Sequence, residues 1–152
     1  MINLNKYKID TSYPGFYNDP NFIHQENLNP AFLNQYNYHI TAKTYSDEYL
    51  TNAAIKIDII CQILFEELKK ENREGACIDI AQVLTKILEV ECIWCSTFTG
   101  SLTQTYSSDT KIDKGYFWLI DNGNYNAPHS WVFAPPYSII DLSVSLQQYK
   151  KK

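Results

Sequence analysis

Between residues 47 and 71 apolar side chains recur at spacings of three and four: Tyr49, Leu50, Ala53, Ala54, Ile57, Ile60, Cys61, Leu64, Phe65 and Leu68. That period predicts an amphipathic helix with one buried stripe. Lys56, Asp58, Gln62, Glu66, Lys69 and Lys70 fall on the polar side. The mixed-sign run Lys69-Lys70-Glu71-Asn72-Arg73-Glu74 reads as a solvated helix end, and Gly75 stops the pattern. A second helix is expected from Cys77 to about Val90. Ala81, Leu84 and Leu88 follow Cys77 on one face, at spacings of four, seven and eleven. Cys77 is thereby a first-turn residue of a helix whose own face is buried.

Beyond this point β-branched and aromatic runs predict strands at residues 91–99, 116–120, 129–133 and 138–142. A Ser/Thr-rich loop or irregular hairpin fills 100–114, and Asn122-Gly123-Asn124 is a turn signal. Asn126-Ala127-Pro128 delivers extended chain into His129, because residues before proline avoid the α region. Helices followed by antiparallel strands define an α+β class. Residues 1–45 are dense in Asn, Tyr, Phe and Pro, with turn signals at Tyr13-Pro14-Gly15 and Asn18-Asp19-Pro20. Asn29-Pro30 predicts a short helix to about Tyr36, with Asn as cap and Pro at the first position. The rest of this region reads as an irregular, aromatic-rich wrap whose side chains pack on a core.

The 152 residues form a single domain of the usual size, with the wrap at 1–45 and a core at 46–143. A composition of 45% hydrophobic and 20% charged residues excludes a disordered chain. The net charge of −4 disfavours a nucleic-acid partner, since such affinity rests on neutralising phosphates. No apolar stretch approaches the roughly 20 residues of a membrane-spanning helix, and residues 1–10 lack the apolar segment of a secretory signal. A cytoplasmic protein is the expectation. Oligomeric state is not legible.

Four cysteines, Cys61, Cys77, Cys92 and Cys95, are present. Cys92 and Cys95 form a C-x-x-C, but on a strand they point to opposite faces, which disfavours a shared metal or a disulfide. Both are read as small buried hydrophobes, and Cys61, inside the helix stripe, as an inert core thiol. No metal or cofactor is expected. Cys77 differs. At a helix N-terminus, unpaired amides and the helix dipole favour an anion, so a thiolate forms more readily there. His129 opens a strand, and Asp141 is a carboxylate in the apolar run Ile139-Ile140-Asp141-Leu142, where it needs a partner. A hairpin centred on Pro135 with an odd loop pairs Phe133 with Tyr137, Trp131 with Ile139 and His129 with Asp141. An even loop would split that last pair between faces. The expected result is an imidazole oriented by a carboxylate and facing the helix that presents a thiol.

Three motifs, Gly75-Ala76-Cys77-Ile78-Asp79-Ile80-Ala81, His129-Ser130-Trp131-Val132 and Ile139-Ile140-Asp141-Leu142-Ser143, stand in order. Together they resemble the nucleophile, histidine and aspartate segments of the transglutaminase-like superfamily, small microbial type. The resemblance covers about 75–143. It implies a papain-like core, with the Cys-bearing helix packed on an antiparallel sheet that carries the His and Asp. Members include transglutaminases, peptidases, deamidases, amidases and inactive relatives. Here Cys77 is followed by Ile78 rather than the Trp of animal cross-linking enzymes, and no acidic calcium cluster is visible. The implied reaction is acyl transfer from a protein or peptide amide through a Cys77 thioester, with His129 as base and Asp141 as orienter. Trp131 would wall the substrate pocket. The Cys77 amide is one oxyanion donor, and Tyr45, Gln62 and Trp118 are the candidates for a second. Two other expectations stand beside it: a non-catalytic binding protein on the same fold, and an acetyl-CoA-dependent acyltransferase.

Overall fold

The computed structural model describes residues 2–71, 76–105, 107–110, 115–117 and 129–144. Gly75, Trp118, the turn at 122–124, the approach 126–128 and the terminal lysines lie outside them. The chain runs through helices α1 (Pro20–Leu28), α2 (Asn34–Ala42), α3 (Asp47–Lys70) and α4 (Cys77–Val90) before it turns to strands. These are β1 (Ser96–Gly100), β2 (Leu102–Gln104), β3 (Gly115–Phe117), β4 (His129–Ala134) and β5 (Tyr137–Ile140). Strands β1-β4-β5 make one antiparallel sheet, and β2 pairs with β3 in a second ladder. Helices followed by antiparallel sheet give the expected mixed class.

Both long helices begin where the apolar period placed them. Ser46 caps α3 by accepting the Tyr49 amide at 3.2 Å, Asp47 and Glu48 fill its first turn, and Lys69 and Lys70 its last. Ala53 and Ile57 of α3 meet Ala81, Leu84 and Leu88 of α4 in a core shared with Ile93, Cys95, Val132, Ala134 and Ile140. Truncating a fully buried leucine such as Leu88 would cost about 2–5 kcal/mol.

The N-terminal region is more regular than a wrap. Short 3-10 helices at Leu4–Tyr7, Phe16–Asn18 and Pro30–Leu33 alternate with α1 and α2. Asp19 caps α1 with Pro20 at its first position, so the pair read as a turn signal is a helix start. Asn29 caps the Pro30–Leu33 helix, and α2 carries on to Ala42, beyond the expected end near Tyr36. The aromatics do pack: Phe16, Phe22, Phe32 and Tyr36 join Leu4, Ile9, Ile40 and Trp94 in a second cluster. Tyr36 ties this layer to the sheet side, since its hydroxyl accepts from the Gly15 amide at 2.7 Å and donates to the Cys95 carbonyl at 3.1 Å.

Two further expectations are corrected. The strand read at 91–99 begins only at Ser96. Cys92 sits in the left-handed region (φ 59) just after α4 and is exposed, so it is not a buried hydrophobe, whereas Cys95 is. The β4–β5 loop is even, not odd: Ala134 pairs with Tyr137 across the cis-linked Pro135-Pro136. One extra residue in β5 then shifts the register, so that Val132 pairs with Ile140. The bulge restores the parity that an even loop removes.

Candidate active site

That restored parity decides where His129 and Asp141 point. His129 lies three residues before Val132 and Asp141 one after Ile140, so both side chains fall on the face opposite Val132 and Ile140. They are diagonal neighbours rather than directly opposed, and the far ring nitrogen spans the gap. His129 Nε2–H donates to Asp141 Oδ2 at 2.5 Å, with the two side chains 1% and 7% exposed.

Asp141 is held from its other side. Its Oδ1 accepts the Ser143 amide at 2.9 Å, the Ser143 hydroxyl at 2.8 Å and the Val144 amide at 3.1 Å. This is the Asx turn that ends β5. Burial works to raise the Asp141 pKa. The hydrogen bond and charge of His129, then the hydroxyl and amide of Ser143, outweigh it and hold the carboxyl below its ordinary value. Sequence reasoning named Ser143 only within the aspartate motif and gave it no role, although Asp-x-Ser after a strand is itself a turn signal.

Cys77 is the first residue of α4 and is buried, 7% exposed. Ala76 offers no side-chain cap, and Asp79 is the acid of the first turn. Hydroxyl contacts fix how α4 lies on the sheet. Thr97 Oγ1 donates to the Ala81 carbonyl at 3.5 Å and lies 2.7 Å from Thr85 Oγ1, while Cys95 Sγ points to the Thr85 carbonyl. Stepping from Ala81 back to Cys77 covers roughly 6 Å of helix, and from Thr85 roughly 12 Å, about two to four strand residues from Thr97 and Cys95 respectively. That reaches the level of Thr99 and Gly100, whose partners on β4 are Ser130 and His129. The start of α4 and the start of β4 therefore share one end of the sheet.

The face is not the expected one. Ser130, Val132 and Ala134 share the side of β4 that packs on α4, where the Ser130 and Thr99 hydroxyls lie 2.8 Å apart. Alternation turns His129 and Trp131 to the other side. The start of α4 and His129 thus share an end of the sheet but not a face of it. Trp131 does flank the histidine: Gly100 is paired with His129, and a Cβ built on it would lie 3.2 Å from the Trp131 ring. Gly100, another residue that sequence reasoning missed, leaves the space that this ring fills.

The other thiols differ in setting. Cys61 is pushed up to about 11 by burial and the Asp58 charge, and Cys95 is raised further by burial and Glu89. Of the oxyanion candidates, Tyr45 donates to the Ile40 carbonyl at 3.0 Å and Gln62 lies near Glu66 on exposed α3, so neither is directed at Cys77. Trp118 is outside the described residues. Among the described residues no three His, Cys, Asp or Glu cluster as metal ligands, and no helix is long and apolar enough to cross a membrane. A groove of about 740 Å³ runs beside α4 along Tyr17, Asn37, Gln82, Lys86, Ser96 and Thr97, and none of Cys77, His129 and Asp141 lines it. Comparisons with protein families, with characterised proteins and with solved structures return no match to this chain.

Proposed function

We propose that the protein is a cysteine-dependent acyl-transfer enzyme acting on protein or peptide amides, on a transglutaminase-like, papain-like core. The observation that carries this reading is the buried His129–Asp141 pair, 2.5 Å apart, at the sheet end where α4 begins with Cys77. A histidine and an aspartate this enclosed are costly to bury unless each satisfies the other. A helix-start thiol at the same end of the sheet would give that investment a chemical use.

With Nε2–H committed to Asp141, Nδ1 is the nitrogen that exchanges a proton with the nucleophile. His129 Nδ1 takes the Cys77 proton, and the thiolate attacks the amide carbonyl carbon. The oxyanion that forms is met by the Cys77 amide in the first turn of α4. His129 returns its proton to the leaving nitrogen, the C–N bond breaks, and a Cys77 thioester remains. Water or an amine, deprotonated by His129, then releases the acyl group and the thiol. Water gives hydrolysis or deamidation, and a lysine amine gives an isopeptide. Asp141 keeps the ring in the productive tautomer throughout, and Trp131 shields the histidine's outer face.

Incubation with a glutamine-rich protein, with and without an electrophilic thiol trap, tests this by intact mass. A cleaved product, a one-dalton shift per site, or a cross-linked species, each abolished by Cys77→Ala, is the expected result. No change in the mass of any substrate, together with a partner bound equally well by Cys77→Ala, would replace the enzyme with a binding protein. Acetyl-Cys77 formed from acetyl-CoA would redirect it to acetyl transfer.

A further inference from the structure

Helix α3 is apolar on two sides. Ala53 and Ile57 are buried, and Ile60, Cys61 and Leu64 pack against the same core. Yet Ile55, Ile59 and Ile63 are 56%, 54% and 59% exposed. At about 100° per residue, these three share an outer strip with Glu48, Asn52, Gln62, Glu66 and Lys70, all of them exposed. Three half-exposed isoleucines in a row present on the order of 300 Å² of apolar surface, comparable to the largest patch of a typical monomer and often functional.

We propose that this strip is a homodimer interface, in which α3 packs antiparallel on α3 of a second copy about a two-fold axis at Ile59. The residue pattern itself specifies the partner. Such an axis sets Ile59 against itself, Ile55 against Ile63, Asn52 against Glu66 and Glu48 against Lys70. These contacts are apolar with apolar, amide with carboxylate, and acid with base, and Gln62 meets the partner copy's Lys56, amide with ammonium. A parallel pairing would instead stack Glu48, Glu66 and Lys70 each on its own copy, three like-charge contacts. Lys70 is ion-paired with Glu67 of its own helix at 2.6 Å on the exposed surface, and in the dimer its ammonium would also meet the partner copy's Glu48. From Glu48 to Lys70 the strip is roughly 33 Å long at 1.5 Å per residue. Its apolar part is well below the ~800 Å² per partner of a standard interface, so the dimer is a weak one.

Light scattering on the full chain across roughly 5–500 μM tests this. The expected result is a mass that rises toward twice the monomer and returns to it for Ile59→Glu, whose thermal unfolding stays that of a folded protein. Lys70→Glu should weaken association several-fold, and Glu48→Lys in the same chain should restore it. In a Cys92→Ser background, oxidised Ile59→Cys should form a disulfide dimer. Ile63→Cys should not, because its symmetry mate lies about 12 Å away along the axis. A monomer at every concentration overturns the proposal and leaves the strip to a partner of another kind. Cross-linking of Ile63→Cys as readily as Ile59→Cys overturns the register.

Discussion

Replacing Asp141 by Ala and by Asn separates what the carboxylate does for the fold from what it does for the chemistry. In Asp141→Ala, His129 Nε2–H loses its acceptor in a side chain 1% exposed, as do the Ser143 amide and hydroxyl and the Val144 amide. A charge-assisted hydrogen bond is worth about 1.5–3 kcal/mol, and buried donors left without acceptors add to that. The expected loss is about 3–5 kcal/mol, in line with breaking a buried pair by deleting one partner. Asp141→Asn keeps the shape. Its carbonyl oxygen still accepts from Ser143 and Val144, so the stability loss should be only about 1–2 kcal/mol. Its amide nitrogen now faces Nε2, however, and the ring must carry its proton on Nδ1 instead. A ring in that tautomer cannot accept the thiol proton, and turnover should fall by about 10³–10⁴-fold. Urea unfolding at pH 7 followed by tryptophan fluorescence reads the first quantity, and substrate mass analysis the second. An Asp141→Ala loss below about 1 kcal/mol would refute the burial argument. Wild-type turnover by Asp141→Asn would refute the tautomer argument.

Acid should expose the same pair. The Asp141 carboxyl is lowered on folding, so the unfolded chain binds that proton more tightly. Its contribution is complete above the ordinary carboxylate value of 3.8 and is lost as pH falls through the lower folded value. Urea midpoints measured from about pH 5 down to 2 should drop more steeply for the wild type than for Asp141→Asn; equal slopes would contradict the lowered carboxyl. Gly100→Ala places a methyl 3.2 Å from the Trp131 ring, and it should reduce turnover more than stability as the indole shifts beside His129. Unchanged turnover would remove Trp131 from the site. Gly15→Ala meets both a left-handed backbone (φ +80) and the Glu89 carboxyl carbon at 3.0 Å. A loss of about 1–3 kcal/mol in thermal or urea unfolding is expected, and a neutral outcome would contradict the close packing of that turn on α4.

How much of this was legible in the chain follows from what kind of signal each part carries. Helices α3 and α4 write a 3.6-residue period over many turns, so both were read almost to the residue. Helix α1 is nine residues long with one buried side chain, Phe22, and so has no stripe to read; its Asp-Pro start was mistaken for a turn. Residues 93–95 are as apolar as a strand but bury themselves without a ladder partner, and pairing is not visible in composition. The His129–Asp141 match was reached through the wrong loop. The even Pro135-Pro136 turn and the bulge in β5 cancel each other, and neither leaves a distinct mark in the residues. The face of His129 relative to α4 was misread for a related reason. Which side of β4 the helix covers is a tertiary choice, shown here by Val132 and Ala134 in the shared core.

The most direct measurement is the rate at which each cysteine of the folded protein is alkylated from pH 5 to 9, read peptide by peptide, in wild type and His129→Ala. Cys61 and Cys95, both raised by burial, should be slow, and Cys92, exposed, supplies the internal reference. Cys77 should outpace Cys92 near neutral pH and lose that advantage in His129→Ala. A Cys77 that reacts no faster than Cys92, or whose rate is indifferent to His129, would show that thiol and imidazole do not act together.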